Sequence, residues 1–302
     1  MRYKLYISSP VQQLNLEITE DQFHALEEAK EFLHFVVTHE ESYDILVSNY
    51  LEFEQEILQL TLQNMMYSDY STDGFYELRM RLNKRLVNLL TSVKLYQDLS
   101  RHLIPENFND RKKYQNDIKC LFSKEYDNKV YYRFMEELRR YTQHAGLAVH
   151  LTSVSRRRVD PPNSNHREYS VNFSSYSNTL KKDKMFNAAK FPELDDEIDL
   201  KIAVRHYIES LSAVHISIRE IFKKNTLDSR EIIKSAHIKF NEEFDCNTQY
   251  LRAASIDKDS IEEDIAILLD WDDVRIKLQQ KNKSLTRLSD SYITSISKEK
   301  KN

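Results

Sequence analysis

Tyr43-Asp-Ile-Leu-Val-Ser-Asn-Tyr-Leu-Glu-Phe-Glu-Gln-Glu-Ile-Leu-Gln-Leu-Thr-Leu-Gln-Asn-Met65 decides the fold class. Its residues Leu46, Val47, Tyr50, Leu51, Ile57, Leu58, Leu62 and Met65 recur three, four and seven apart. That is the period of one helical face, whereas a half-buried strand alternates. After the break at Ser68-Asp-Tyr-Ser-Thr-Asp-Gly74, a second stripe runs through Phe75, Leu78, Leu82, Leu86, Leu89, Leu90, Val93 and Tyr96. Two long helices joined by a turn pack antiparallel. The expected class is therefore mainly α, an antiparallel helical bundle with small β-hairpins.

Composition points the same way. The 302 residues include 2 Gly and 5 Pro, where ordinary usage would give roughly 20 Gly. Turn-rich all-β folds and glycine-lined nucleotide pockets are disfavoured, and there is no Gly-x-Gly-x-x-Gly or P-loop run. Cys120 and Cys246 lie far apart with no second Cys or His at a zinc-like spacing, which argues against a disulfide framework or a structural metal. No cofactor is expected. Met1-Arg-Tyr-Lys-Leu-Tyr-Ile7 lacks the apolar core of a signal peptide, and no apolar run approaches the ~20 residues that cross a bilayer. The expected location is the cytoplasm, with no membrane partner.

Outward from the central helices, Tyr3, Leu5 and Ile7 alternate with Arg2, Lys4 and Tyr6, and Leu14, Leu16 and Ile18 resume the alternation after Ser8-Ser-Pro-Val11. This predicts an amino-terminal hairpin over 1–18. Thr19-Glu-Asp-Gln22 has the spacing of a capping box and should open a helix. Pro105 and Asn107 precede expected helices over about Asp110–Lys124 and Lys129–His144. Alternation returns at Leu147, Val149 and Leu151 and again at Tyr169, Val171 and Phe173, on either side of Asp160-Pro-Pro-Asn-Ser-Asn165. A second hairpin is expected over about 147–176, sharing a small sheet with the first. Beyond the Lys181–Pro192 linker, Ile198, Ile202, Tyr207, Leu211, Val214, Ile218 and Ile221 mark another helix. Ser260-Ile-Glu-Glu263 has the spacing of a second capping box, opening a helix that carries Ile261, Ile265, Leu268 and Leu269. Lys298–Asn302 reads as a frayed end. The expected organisation is a hairpin at 1–18, a helical domain at 19–146, a basic hairpin and linker at 147–192, and a carboxy-terminal helical region at 193–302.

The net charge of −4 hides an asymmetry. Residues 1–100 carry 8 Lys/Arg against 16 Asp/Glu, residues 101–190 carry 18 against 10, and residues 191–302 carry 18 against 22. A basic middle fits either a local polyanion site or basic and acidic segments packed together. Ser155-Arg-Arg-Arg158 with His166 and Arg167 is the densest basic cluster, placed around the tip of the second hairpin. Arg156, Arg157, Arg158 and Arg167 are candidates for RNA phosphates; Tyr169, Phe173 and Tyr176 are base-stacking rings or sheet core.

Leu138-Arg-Arg-Tyr-Thr-Gln-His144 carries the other candidate chemistry. Metal-free RNA cleavage needs proton transfer at the 2′-hydroxyl and the leaving oxygen, with positive charge at the phosphorus. His144 titrates near neutrality, and Arg139 stays charged and can grip two phosphate oxygens. The dipole at a helix carboxyl end, with Gly146 as the expected cap, favours an imidazolium by roughly 0.3–1 kcal/mol. Residues five apart on a helix point about 140° away from each other. Either the helix ends before His144, or a second chain completes the site across a twofold axis.

This segment resembles the Arg, four to six residues, His signature of the HEPN superfamily, over about seven residues plus the preceding helices, roughly 40–150. The resemblance implies a HEPN-like all-α domain, RNA as partner, a homodimer, and Arg139 and His144 as a metal-independent catalytic pair. It also implies work in phage defence or a toxin–antitoxin system, with an antitoxin or defence ATPase as partner. Arg140 stands where the family commonly has Asn, Asp or His, and is a candidate RNA contact. The alternative is a non-catalytic protein- or nucleic-acid-interaction module, or an antitoxin or regulatory subunit. His206 and His215, nine residues apart, are too distant for a joint metal site. The acidic runs Glu193–Glu197 and Glu262–Asp264 fall at expected helix starts, where capping explains them.

Overall fold

Thr19 opens a helix through the expected capping box: its N–H donates to Gln22 Oε1 at 3.1 Å, and the Gln22 N–H donates to Thr19 Oγ1 at 3.2 Å. The helix, α1, then runs unbroken over Glu20–Tyr67, joining the helix opened at Thr19 to the stripe that starts at Tyr43. No Gly or Pro lies within it, so nothing in the backbone interrupts it. The computed structural model describes residues 1–8, 13–67, 71–106, 108, 110–158, 166–191, 195–258 and 260–294. The expected frayed end at 298–302, the Pro10 turn and the hairpin tip at 159–165 lie outside the described residues.

Helix α2 covers Thr72–His102, with the Ser71 hydroxyl accepting from the Gly74 N–H at 3.0 Å. Helices α3 (Arg111–Asn128) and α4 (Val130–His144) follow close to their expected bounds. The short α5 (Ser177–Leu180) precedes α6 (Leu200–Phe244), another long helix without Gly or Pro, and α7 covers Asp270–Lys281. Asp199, which the sequence reading missed, caps α6 by accepting from the Lys201 and Ile202 N–H groups at 2.8 and 3.2 Å.

The chain divides into two compact units, and α1, α2, α3 and α6 each contribute to both. The first comprises Met1–Ile45, Leu95–Cys120 and Ile216–Lys283. It holds a four-stranded antiparallel sheet in the order β2-β1-β6-β7, formed by β1 (Arg2–Ser8), β2 (Gln13–Ile18), β6 (Arg252–Asp257) and β7 (Ser260–Ala266). The amino-terminal hairpin thus pairs with β6, Leu5 opposite Ala253, and not with the second hairpin. Leu5, Phe23, Leu26, Phe32, Phe35, Phe222 and Phe240 are buried. The buried Glu40 carboxylate accepts two hydrogen bonds from Arg219, at 2.8 and 2.6 Å.

Ser260–Ala266 is a strand where a helix was expected. Lys258 adopts a left-handed φ of 46° in the connection, and Ser260 returns opposite Asp257. The pairing partner supplied by β6 outweighs the local capping pattern. Glu262, Glu263 and Asp264 are therefore edge-strand residues and not helix caps. Asp264 accepts from Arg252 across the ladder at 2.8 Å.

The second unit comprises Leu46–Lys94, Leu121–His215 and Ser284–Asn302. Here α1 and α2 run antiparallel, linked from Arg81 to Gln63 and Glu56 and from Arg85 to Glu56. Leu46, Phe53, Ile57 and Leu60 of α1 are buried, so the core stripe uses Phe53 and Leu60. Leu51, Leu58, Leu62 and Met65 lie on exposed surface instead. A second sheet, in the order β3-β4-β5, contains β3 (Leu151–Arg158), β4 (Arg167–Tyr176) and β5 (Glu197–Asp199). The second hairpin is present; its first strand begins at Leu151, four residues later than expected, and its second ends at Tyr176 as expected. Phe173 of β4 meets Phe53 of α1 edge-on, with centroids 5.8 Å apart. Glu197, expected near a helix start, sits in β5 and accepts from Ser174 Oγ at 2.7 Å.

Candidate nucleic-acid interface

Helix α4 buries Tyr132, Phe134, Met135, Leu138 and Tyr141, and this face fixes where its charged side chains emerge. Arg139 donates to Glu136 Oε2 at 3.1 Å and to Gln143 Oε1 at 3.3 Å. The other Glu136 oxygen accepts from Tyr207 Oη at 2.5 Å. Tyr207 is fully buried, and burial followed by the nearby Glu136 charge pushes its hydroxyl well above the ordinary tyrosine range. Tyr207 therefore holds Glu136, which in turn holds Arg139. The helix continues through His144, which is exposed. With no early helix end, Arg139 and His144 stay on faces about 140° apart.

Arg140 is also tied to its own chain. It donates to Glu137 Oε2 at 2.5 Å and to the Met185 carbonyl at 2.6 Å, while its side chain stays 41% exposed. Glu137 is buried, and its Oε1 accepts from Lys190 Nζ at 2.6 Å and Tyr126 Oη at 3.0 Å. Burial pushes its carboxyl up, but the hydrogen bonds from Lys190 and Tyr126 and the charges of Lys190 and Arg140 outweigh it. The group titrates below its ordinary value. This cluster fastens residues 185–190 to α4. Gly146 has no left-handed φ; its N–H donates to the Tyr141 carbonyl at 3.2 Å. A Cβ there would lie 2.9 Å from Tyr141 Oη, so glycine serves close approach and not a left-handed cap.

The β3–β4 hairpin arranges its arginines differently. Its register sets Val154 opposite Val171, Arg156 opposite Tyr169, Arg157 opposite Glu168, and Arg158 opposite Arg167. Side chains alternate between faces, so Val154, Arg156, Arg158, Arg167, Tyr169 and Val171 share one face. Arg157 and Glu168 share the other and form an ion pair. Toward its base the first face is core, with Val171 and Phe173 buried. Toward its tip it is exposed and carries three arginines. The Arg156 guanidinium lies 5.8 Å from the Tyr169 ring centroid. None of Arg156, Arg158 and Arg167 has an ion-pair partner among the described residues. Like charges directly opposite on a ladder destabilise it, so nothing among the described residues accounts for the Arg158–Arg167 pair.

The His206 ring stacks on Tyr131 at 4.8 Å, and His215 is buried. Among the described residues, no group of three or more His, Cys, Asp or Glu is placed to hold a metal ion, and no helix is long and apolar enough to cross a membrane. Glu136, Glu137, Tyr126 and Lys190 were not singled out from sequence, and Tyr207 was read there only as part of an apolar stripe, although Glu136 and Glu137 stand three residues before Arg139 and Arg140, a spacing at which helical side chains meet. No family model matches the chain, and comparison with curated proteins and with solved structures finds no match either.

Proposed function

We propose that this chain binds single-stranded RNA through the arginine face of β3–β4, and that it does so without cutting the strand. The observation that carries this reading is the sorting of the hairpin arginines. Arg156, Arg158 and Arg167 share a face with Tyr169, while Arg157, alone on the opposite face, is neutralised by Glu168. Guanidinium forks suit phosphate oxygens, and an aromatic ring among them offers a platform for a base. An acidic protein surface would use the arginines but has less need of the ring.

The HEPN-like reading is the narrower proposal. Because α4 runs through His144 and Arg139 is engaged by Glu136, cleavage would require a second copy to bring His144 to Arg139 in trans. A defence or toxin–antitoxin role, with an antitoxin or ATPase partner, belongs to that narrower proposal. Incubating the purified protein with single-stranded RNA and with tRNA in EDTA, beside His144→Ala, separates the two. Binding by both proteins with the RNA left intact is expected. Cutting by the unaltered chain that His144→Ala abolishes would replace the binding module with the nuclease.

A further inference from the structure

We infer that a pocket at the foot of the arginine face receives one unpaired nucleobase, and that its acidic wall favours guanine. This rests on the RNA-binding reading above and deepens it. The pocket has a volume of about 280 Å³ and lies between the end of α1, the start of α2 and Val154 of β3. That is near the lower end of ligand sites, about 300 Å³, a size for a single base and not for a folded segment. Val154 is two residues before Arg156 on the same face, about 6.6 Å along the strand. A strand whose phosphates lie on Arg156, Arg158 and Arg167 thus has a base within reach of the opening.

The chemistry of the walls separates base from phosphate. Leu60, Leu78 and Val154 supply apolar surface for the flat faces of a base, and Tyr67 on the last turn of α1 is 79% exposed and presents a ring. Arg81 is not available to a phosphate: it pairs with the buried Glu56 at 2.6 Å and donates to Gln63 Oε1 at 2.7 Å. The carboxylate left at the wall is Glu77, which is exposed and makes no ion pair among the described residues. An ionised carboxylate only accepts hydrogen bonds and repels phosphate. Guanine presents two adjacent donors, N1–H and the N2 amino group, that a carboxylate can take together. Uracil presents a single N3–H flanked by carbonyl oxygens, which a carboxylate disfavours.

The test is fluorescence anisotropy with labelled oligouridine, the same oligonucleotide carrying one internal guanosine, and a third carrying inosine, which lacks the N2 amino group. The unaltered chain should bind the guanosine oligonucleotide about tenfold more tightly than oligouridine, a typical value for one bidentate base contact, with inosine between them. Glu77→Gln should bring that ratio within about threefold while the melting transition is unchanged. Removing a negative charge strengthens binding to every oligonucleotide, so the ratio, and not the affinity, is the readout. Equal binding of all three by the unaltered chain, or a ratio unmoved by Glu77→Gln, overturns the pocket while leaving the arginine face standing. Failure to bind any of them overturns the RNA-binding reading itself.

Discussion

Two sets of arginines in the second unit look alike in composition and differ in what surrounds them. On α4, Arg139 and Arg140 each have a carboxylate three residues earlier, and both are held by it. On the hairpin, Arg156, Arg158 and Arg167 have no ion pair among the described residues, and two of them stand directly opposite each other. The first set answers needs of the fold, orienting α4 and fastening residues 185–190 to it. The second set raises local repulsion that a polyanion would relieve. The lesson is that a basic cluster becomes a candidate site through its partners and register, not through its count of charges.

Glu137 is the place where that contrast can be broken with the largest effect. Removing one member of a buried ion pair strands the other, at a cost of about 3–5 kcal/mol for fully buried pairs. Arg140 and Lys190 are 41% and 35% exposed and can recover some hydration, so Glu137→Ala should destabilise by about 2–3 kcal/mol in denaturant unfolding. RNA affinity of the folded variant should be unchanged. The folded carboxyl titrates below its ordinary value of 4.5, so its contribution is fully present above the unfolded pKa and fades as pH falls through the folded one. The stability gap between the unaltered chain and Glu137→Gln should be flat above about pH 5 and narrow below about pH 4. A gap that widened on acidification would contradict the assignment.

Arg157 sharpens the same contrast from the other side, with the smallest effect. It lies beside the arginine face in sequence and opposite it in space, in an exposed pair with Glu168. Arg157→Ala should shift stability by no more than about 0.5 kcal/mol. It should also leave RNA affinity within about twofold. A loss as large as that of Arg158→Ala would mean that net charge, and not the face, recruits RNA.

Much of the helical framework could be read locally. Thr19 and Gln22 formed the box their spacing implied, and the long gaps between glycines and prolines allowed α1 and α6 to run as single helices. What could not be read depended on distant partners. The stripe of α1 that is buried is decided by the elements packed on it, so Phe53 and Leu60 are core while Leu51 and Leu62 are exposed. Ser260–Ala266 became a strand because β6 was there to pair with, and β1 found the same strand about 250 residues away in sequence. For the candidate site, the basic hairpin was visible as alternation and composition. The division of its arginines between two faces was not, because one residue of register slip would place each on the other side.

The central claim is that Arg156, Arg158 and Arg167 hold RNA phosphates, and its most direct test is the salt dependence of binding. Anisotropy of a labelled single-stranded RNA would be followed between about 50 and 200 mM salt for the unaltered chain and for the triple variant Arg156→Ala, Arg158→Ala, Arg167→Ala. Each phosphate contact on a single strand contributes about 0.7 to the slope of log affinity against log salt, so three contacts predict a slope shallower by about 2 in the variant, with affinity reduced at every salt concentration. Equal slopes and affinities for the two proteins would contradict the account.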